Sequence, residues 1–184
     1  MPSFTPTILS TPRLILRPLQ ESDAAALFTI FSDPEVMRYW STVPWASIDI
    51  AHELIANDIV AHQEGRYLRL GMQTQVDNHL IGICSLFAID SQNLRADLGY
   101  GMGSTHWGKG YMHEALTTFV EHAFEAFNLR RLEADIDPRN AASAKTLERL
   151  GFIKEGHLRE RWLVDGVVSD TDLYGLLRRD WLAR

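Results

Sequence analysis

Residues 95–116 read Arg95-Ala-Asp-Leu-Gly-Tyr-Gly-Met-Gly-Ser-Thr-His-Trp-Gly-Lys-Gly-Tyr-Met-His-Glu-Ala-Leu116. Their order is that of a short strand, a glycine-bearing loop and an amphipathic helix. Gly108 and Gly110 flank Lys109 immediately before the helix begins. Residues without Cβ let backbone N–H groups turn to one side, and a helix N-terminus adds partial positive charge. Together these features make a site for phosphate or pyrophosphate. A Gly-Lys-Gly triplet alone carries little weight. It gains force from a second segment, Asn140-Ala-Ala-Ser143 through Leu150-Gly-Phe152, which reads as a capped helix ending at glycine and entering a strand.

Outward from these segments the pattern alternates strands and helices. Arg13–Arg17, between two prolines, is an expected strand, and Ser22-Asp23 is expected to cap a helix stopped at Asp33-Pro34. A second helix is expected over 47–64, with Gly65 as its stop. Tyr67–Thr74 and Leu80–Ile89 read as a hairpin around Asp77-Asn78, and Leu98–Met102 as the next strand. The helix after the loop carries Met112, Ala115, Leu116, Phe119, Val120, Ala123, Phe124 and Phe127 at helical spacing, with Asn128 placed to end it. Leu129–Asp137 follows as a strand closed by Pro138. Phe152–Val164 and Val167–Leu176 form a hairpin across Asp165-Gly166. The expected order is β-α-α-β-β-β-α-β-α-β-β, an α/β fold with a mixed, mostly antiparallel sheet and helices on both faces. With no repeats and no linker, residues 1–184 are expected to form one domain.

The two segments resemble those of the Gcn5-related N-acetyltransferases, most closely the RimJ/RimL branch, whose members acetylate protein N-termini. The family's Gln/Arg-x-x-Gly-x-Gly/Ala loop pattern falls on Trp107-Gly-Lys-Gly-Tyr-Met112. Trp107 replaces the polar first position and Met112 the small last one. The resemblance runs from about Thr11 to Trp181. It implies acetyl-CoA as co-substrate, held by Tyr100, Gly101, Met102, Trp107, Gly108, Lys109, Gly110, Tyr111, Met112, Asn140 and Ser143. It also implies a primary amine as acceptor, a protein N-terminus first, attacked directly in a ternary complex. A small amine such as a polyamine, amino acid or aminoglycoside is the alternative, and a non-catalytic acetyl-CoA sensor is the reading from another class. The expected setting is the cytoplasm, as monomer or homodimer.

Composition sets outer bounds. The formal charge of −6 argues against nucleic acid as a partner and favours cationic acceptors. No window approaches 18 consecutive apolar residues, so no membrane partner is expected. The opening Met-Pro-Ser-Phe-Thr-Pro lacks the pattern of a secretory signal. Cys84 is the only cysteine and sits in an apolar run, so a buried thiol outranks a nucleophile. The seven histidines show no metal spacing, and no metal is expected.

On a regular strand Asp97, Gly99, Gly101 and Gly103 share one face, and Leu98, Tyr100 and Met102 the other. Three glycines on one side leave room for an occupant, which the resemblance identifies as the pantetheine arm; close helix packing is the plainer explanation. Ser143 lies one turn inside its helix. The resemblance places a serine there near the cofactor sulfur, to which it can donate a hydrogen bond as charge develops. If Ser143 is not the donor, Tyr111 and Tyr174 are the next phenols to test. The general base is open among Glu160, Asp97, Glu133, Asp135 and Asp137. The branch's usual glutamate position is occupied by Trp162, and Glu160 shares its strand face only if no bulge intervenes. Trp40, Trp45 and Trp162 are expected to line the acceptor site, core packing being the alternative for the first two.

Overall fold

The structure, a computed structural model, describes residues 7–184; the N-terminal residues read above for a secretory signal lie outside the described part. Leu14–Arg17 alternates buried and half-buried residues as β2, and the two-residue β1 (Leu9–Ser10) pairs antiparallel to it at the sheet edge. Glu21–Asp23 form a 3-10 turn where the sequence suggests a helix cap, and α1 (Ala24–Phe31) follows directly. The Asp23 carboxylate is engaged elsewhere. It accepts from the Gln20 N–H at 2.7 Å and pairs with both Arg17 terminal nitrogens at 2.8 and 2.9 Å, which ties the helix entry to β2. Asp33-Pro34 ends one helix and begins another, α2 (Pro34–Met37). Asp33 accepts from the Glu35 N–H at 2.9 Å, and proline fits the first turn because that position needs no donor.

The remaining elements are α3 (Asp49–Gln63), β3 (Leu68–Thr74), β4 (Leu80–Asp90), β5 (Arg95–Met102), α4 (Tyr111–Ala126), β6 (Arg131–Ile136), α5 (Ala141–Arg149), β7 (Ile153–Val164), β8 (Val167–Leu177) and α6 (Arg178–Leu182). The expected order holds, with β1, α2 and α6 as additions. Asp165 and Gly166 take φ of +48° and +76° in the β7–β8 turn, as a tight hairpin requires. The eight strands form one sheet in the order β1-β2-β3-β4-β5-β6-β8-β7. Every neighbouring pair is antiparallel except β5–β6.

Helices cover both faces. The α4 stripe Ala115, Leu116, Phe119, Val120, Ala123 and Phe124 is buried against Leu70, Cys84, Leu86 and Leu98 of the sheet, with Leu147 of α5 alongside. Leu27, Ile30 and Phe31 of α1 and Ala51 and Ile55 of α3 pack over Leu80 and Ile83 on the other face. Among the described residues no helix is long and apolar enough to cross a membrane.

One departure from regular pairing positions the site. β5 and β6 pair only over Arg95–Asp97 and Arg131–Glu133, although the strands continue to Met102 and Ile136. The Gly103 N–H donates to the Ile81 carbonyl at 3.0 Å. Alternation along the ladder therefore turns the main-chain groups of Leu98, Tyr100 and Met102 away from β4 and into the split.

Candidate active site

At one end of the split the chain leaves β5 through a 3-10 turn and reaches Gly108 and Gly110, at φ of +73° and +79°. These left-handed conformations admit glycine most easily. Gly110 is the N-cap of α4, and no side chain caps that helix. Its first N–H groups, which lack intrahelical acceptors, are left to an outside partner. A Cβ at Gly108 would have nothing within 4 Å. A brace that the sequence does not reveal holds the loop from behind. Glu114 Oε1 accepts from Thr11 Oγ1 at 2.6 Å and from the Arg13 N–H at 2.7 Å, and Oε2 accepts from Arg13 Nε at 2.6 Å. The same guanidinium donates to the Lys109 carbonyl at 2.9 Å and lies 4.4 Å from the Tyr111 ring centre. Trp107 donates its indole N–H to the Met102 carbonyl at 2.8 Å, fixing the loop to the end of β5.

At the other end lies α5. Asn140 caps it by accepting from the Ser143 N–H at 3.1 Å. The Ser143 hydroxyl is free of that cap and meets the Tyr100 hydroxyl at 2.7 Å. Burial drives the Tyr100 phenol well above its ordinary range, and the bond to Ser143 offsets this only in part. Neither alternative phenol lines the cleft: Tyr111 sits beneath Arg13, and Tyr174 is buried in the core.

A cleft of about 410 Å³ passes through the split, from Trp40, Trp45 and Trp162 on the α1–α3 side to Tyr100, Asn140 and Ser143 on the α5 side. Trp40 and Trp45 both pack on Phe31, at centroid distances of 5.2 and 4.9 Å. Core packing and cleft lining are therefore the same contact. The glycine face of β5 is a correction to the expected vacancy. The β4–β5 register is regular through this stretch, so the alternation holds. The chain's own rings, however, occupy the space. A Cβ at Gly101 would stand 2.6 Å from a Trp40 carbon and 3.1 Å from Phe31, and one at Gly99 would stand 3.1 Å from Phe87 and Ser85 Oγ. The space open to a ligand is the strand's unpaired edge.

The carboxylates separate by environment. Glu160 is exposed at φ +52° inside the irregularity between Leu158 and Trp162 of β7. A bulge does intervene, so Trp162 faces the cleft while Glu160 is not among its lining residues. Asp135 is exposed and lines the cleft, whereas Asp137 also lines it but is held by Arg139 at 2.6 Å. Asp97 is pushed up to about 6, first by desolvation and then by Glu133, with Arg95 opposing and Asp135 adding a smaller push. Its Oδ1 is buried without a hydrogen-bond partner among the described residues. A folded carboxyl at about 6 holds more protons than its unfolded form near 3.8. Its ionisation therefore lowers stability as pH rises from about 4 to 6, and the penalty is fully present above that window. Asp97→Asn should raise Tm at pH 7.5 by roughly 2–4 °C, for about 1 kcal/mol after screening, and leave Tm near wild type at pH 4. Thermal melts at both pH values check this; equal shifts at the two would remove the ionisation argument.

Cys84 is fully buried, and desolvation raises its thiol far above the thiolate-forming range. Cys84→Ala should keep the wild-type turnover per folded molecule. An acetyl adduct on the wild type that passes to amines, seen by mass spectrometry, would overturn direct transfer. Among the described residues no cluster of His, Cys, Asp or Glu is arranged to hold a metal ion.

The split between parallel strands thus has an uncapped glycine turn at one end and paired hydroxyls at the other. The model of the acetyltransferase (GNAT) domain matches residues 13–153, and the chain belongs to that family. It is an acetyl-CoA-dependent N-acetyltransferase. The chain is 37% identical over 175 residues to the uncharacterized N-acetyltransferase p20 of Bacillus licheniformis, covering 94% of this chain and 97% of the relative. It is 28% identical over 185 residues to the [ribosomal protein uS5]-alanine N-acetyltransferase of Escherichia coli, covering 94% and 92% of the two chains. The crystal structure of spermidine N-acetyltransferase from Vibrio cholerae in complex with CoA and spermine shares the fold. Its TM-score is 0.82 at 24% identity, over 92% of this chain and 98% of that one.

Proposed function

We propose that this N-acetyltransferase modifies a protein N-terminal α-amino group. The observation that carries the reading is the charge of the acceptor end of the cleft. Three indole rings wall it, and Asp135 is its one carboxylate without an ion-pair partner among the described residues, since Arg139 holds Asp137. One free charge suits a single α-ammonium; a polyamine keeps further charges that need carboxylates of their own. The α-amine also asks least of a base. At a pKa of about 7.8 roughly a tenth is neutral at pH 7, against a few parts in ten thousand for lysine at about 10.4. Of the carboxylates weighed, Asp97 has the strength of a general base near neutrality, and it flanks the cleft residues Leu98 and Gly99. The E. coli relative, named for action on a ribosomal-protein alanine, supports the same acceptor class.

In this reading the α4 N-terminus and the Gly108–Gly110 turn hold the pyrophosphate, where the absence of a side-chain cap leaves N–H groups to donate. The free edge of β5 at Leu98 and Tyr100 takes the pantetheine arm, the Met102 carbonyl beyond them being held by the Trp107 indole. Ser143 donates to the sulfur as the thioester breaks, while Asp135 attracts the incoming ammonium. The deciding experiment measures CoA release with N-terminal peptides differing in their first residues, alongside spermidine, amino acids and aminoglycosides. A peptide N-terminus should give the highest kcat/KM. Faster turnover of spermidine than of any peptide would assign the enzyme to small amines.

A further inference from the structure

We infer that Tyr100 is a positioning residue for Ser143, its phenol donating to Ser143 Oγ and so releasing the serine's own hydrogen toward the cleft. The inference deepens the proposed function and rests on its assignment of Ser143 to the departing sulfur. Tyr100 leaves β5 on the α5 side and meets Ser143 across 43 positions of sequence, hydroxyl to hydroxyl at 2.7 Å. Among the described residues Ser143 Oγ has no other hydrogen-bond partner.

Each hydroxyl owns one hydrogen and two acceptor lone pairs, so the pair has two arrangements. In one, Ser143 donates to Tyr100 and the phenol donates to the Ser143 carbonyl, 3.3 Å away. The serine hydrogen is then consumed inside the pair, and nothing is left for a sulfur. In the other, the phenol donates to Oγ across the 2.7 Å contact. The 2.7 Å contact is common to both, and the 3.3 Å bond that the first adds is long, so the donor decides between them. A phenolic O–H is the more acidic and stronger donor and an aliphatic hydroxyl the better acceptor, which makes the 2.7 Å bond stronger in the second arrangement. That arrangement also leaves the Ser143 hydrogen unspent beside the cleft that both residues line.

Tyr100 orients but does not supply the proton. A phenol is already a weaker acid than a thiol and burial weakens this one further, so a net transfer from it to a leaving thiolate runs uphill. In the reaction the amine nitrogen forms the new C–N bond, the C–S bond breaks and its electron pair goes to sulfur. The proton shed by nitrogen leaves through the carboxylates and solvent. The Ser143 hydrogen bond strengthens as the sulfur gains charge, and its value depends on the hydroxyl already pointing the right way.

Tyr100→Phe removes the phenol oxygen and keeps the ring. The test compares this variant, Ser143→Ala and the double variant, each normalised to acetyl-CoA sites titrated at equilibrium so that only folded enzyme counts. Tyr100→Phe should lower kcat by about 10-fold while KM for acetyl-CoA stays within about twofold. In the Ser143→Ala background it should change kcat by less than about twofold, because no hydroxyl remains to orient. An equal drop in both backgrounds would show that Tyr100 acts independently of Ser143, and a wild-type kcat in Tyr100→Phe would show that it does not act at all; either overturns the inference alone. An unchanged kcat in Ser143→Ala removes the underlying reading and this inference with it.

Discussion

Ser143→Ala lowers kcat and kcat/KM for acetyl-CoA together, by about 10- to 1000-fold, and leaves acetyl-CoA affinity nearly unchanged. The uncharged sulfur of a thioester is a poor acceptor, so the hydroxyl contributes little before the bond breaks. As the thiolate forms, the same hydrogen bond becomes charge-assisted and shortens. A structural serine gives the opposite result. Its backbone N–H already serves the Asn140 cap at 3.1 Å, and that bond survives in alanine, so any structural loss would appear in Tm. Turnover, affinity and melting temperature measured on one preparation separate the two. Unaltered turnover in a folded variant would transfer the role to water.

Gly110→Val weakens acetyl-CoA binding by well over tenfold, more than about 1.4 kcal/mol. A β-branched side chain would stand over the α4 N-terminus, where the loop N–H groups have no side-chain cap. Strain contributes as well, because Gly110 holds φ +79°, a conformation that a β-branched residue rarely adopts. A matched control is available in the β7–β8 turn. Gly166 holds φ +76° with nothing within 4 Å of its Cβ, so Gly166→Val carries similar backbone strain without touching the loop. Calorimetric titration of both variants with acetyl-CoA should show the loss only at Gly110. Comparable losses at the two positions would assign the effect to general destabilisation, and near wild-type affinity in a folded Gly110→Val would remove the loop from the site.

Some of the proposed site is legible in the chain because its signals are local. Glycines before an amphipathic stripe mark the loop, and each such residue sits within a few positions of the pattern that identifies it. The brace behind that loop is not legible. Glu114 answers to Thr11 and Arg13 at separations of 103 and 101 residues, and nothing in either segment names the other. Glu160 illustrates a different failure. Strict alternation from Trp162 puts it in the cleft, but the bulge between Leu158 and Trp162 turns it to solvent, and a bulge arises from how two strands pair.

By itself the sequence determines the order of elements, the α4 stripe, the Asp165-Gly166 turn, the Asn140 cap and the glycine loop. Periodicity, turn chemistry and capping act over one or two turns of chain and need no partner from afar. The tertiary structure decides that β5 and β6 part after Asp97 and Glu133, that Phe31 and Trp40 fill the glycine face, and that Tyr100 meets Ser143. Those outcomes depend on strand register and on which side chains compete for one volume. Both are settled only when distant segments are packed together.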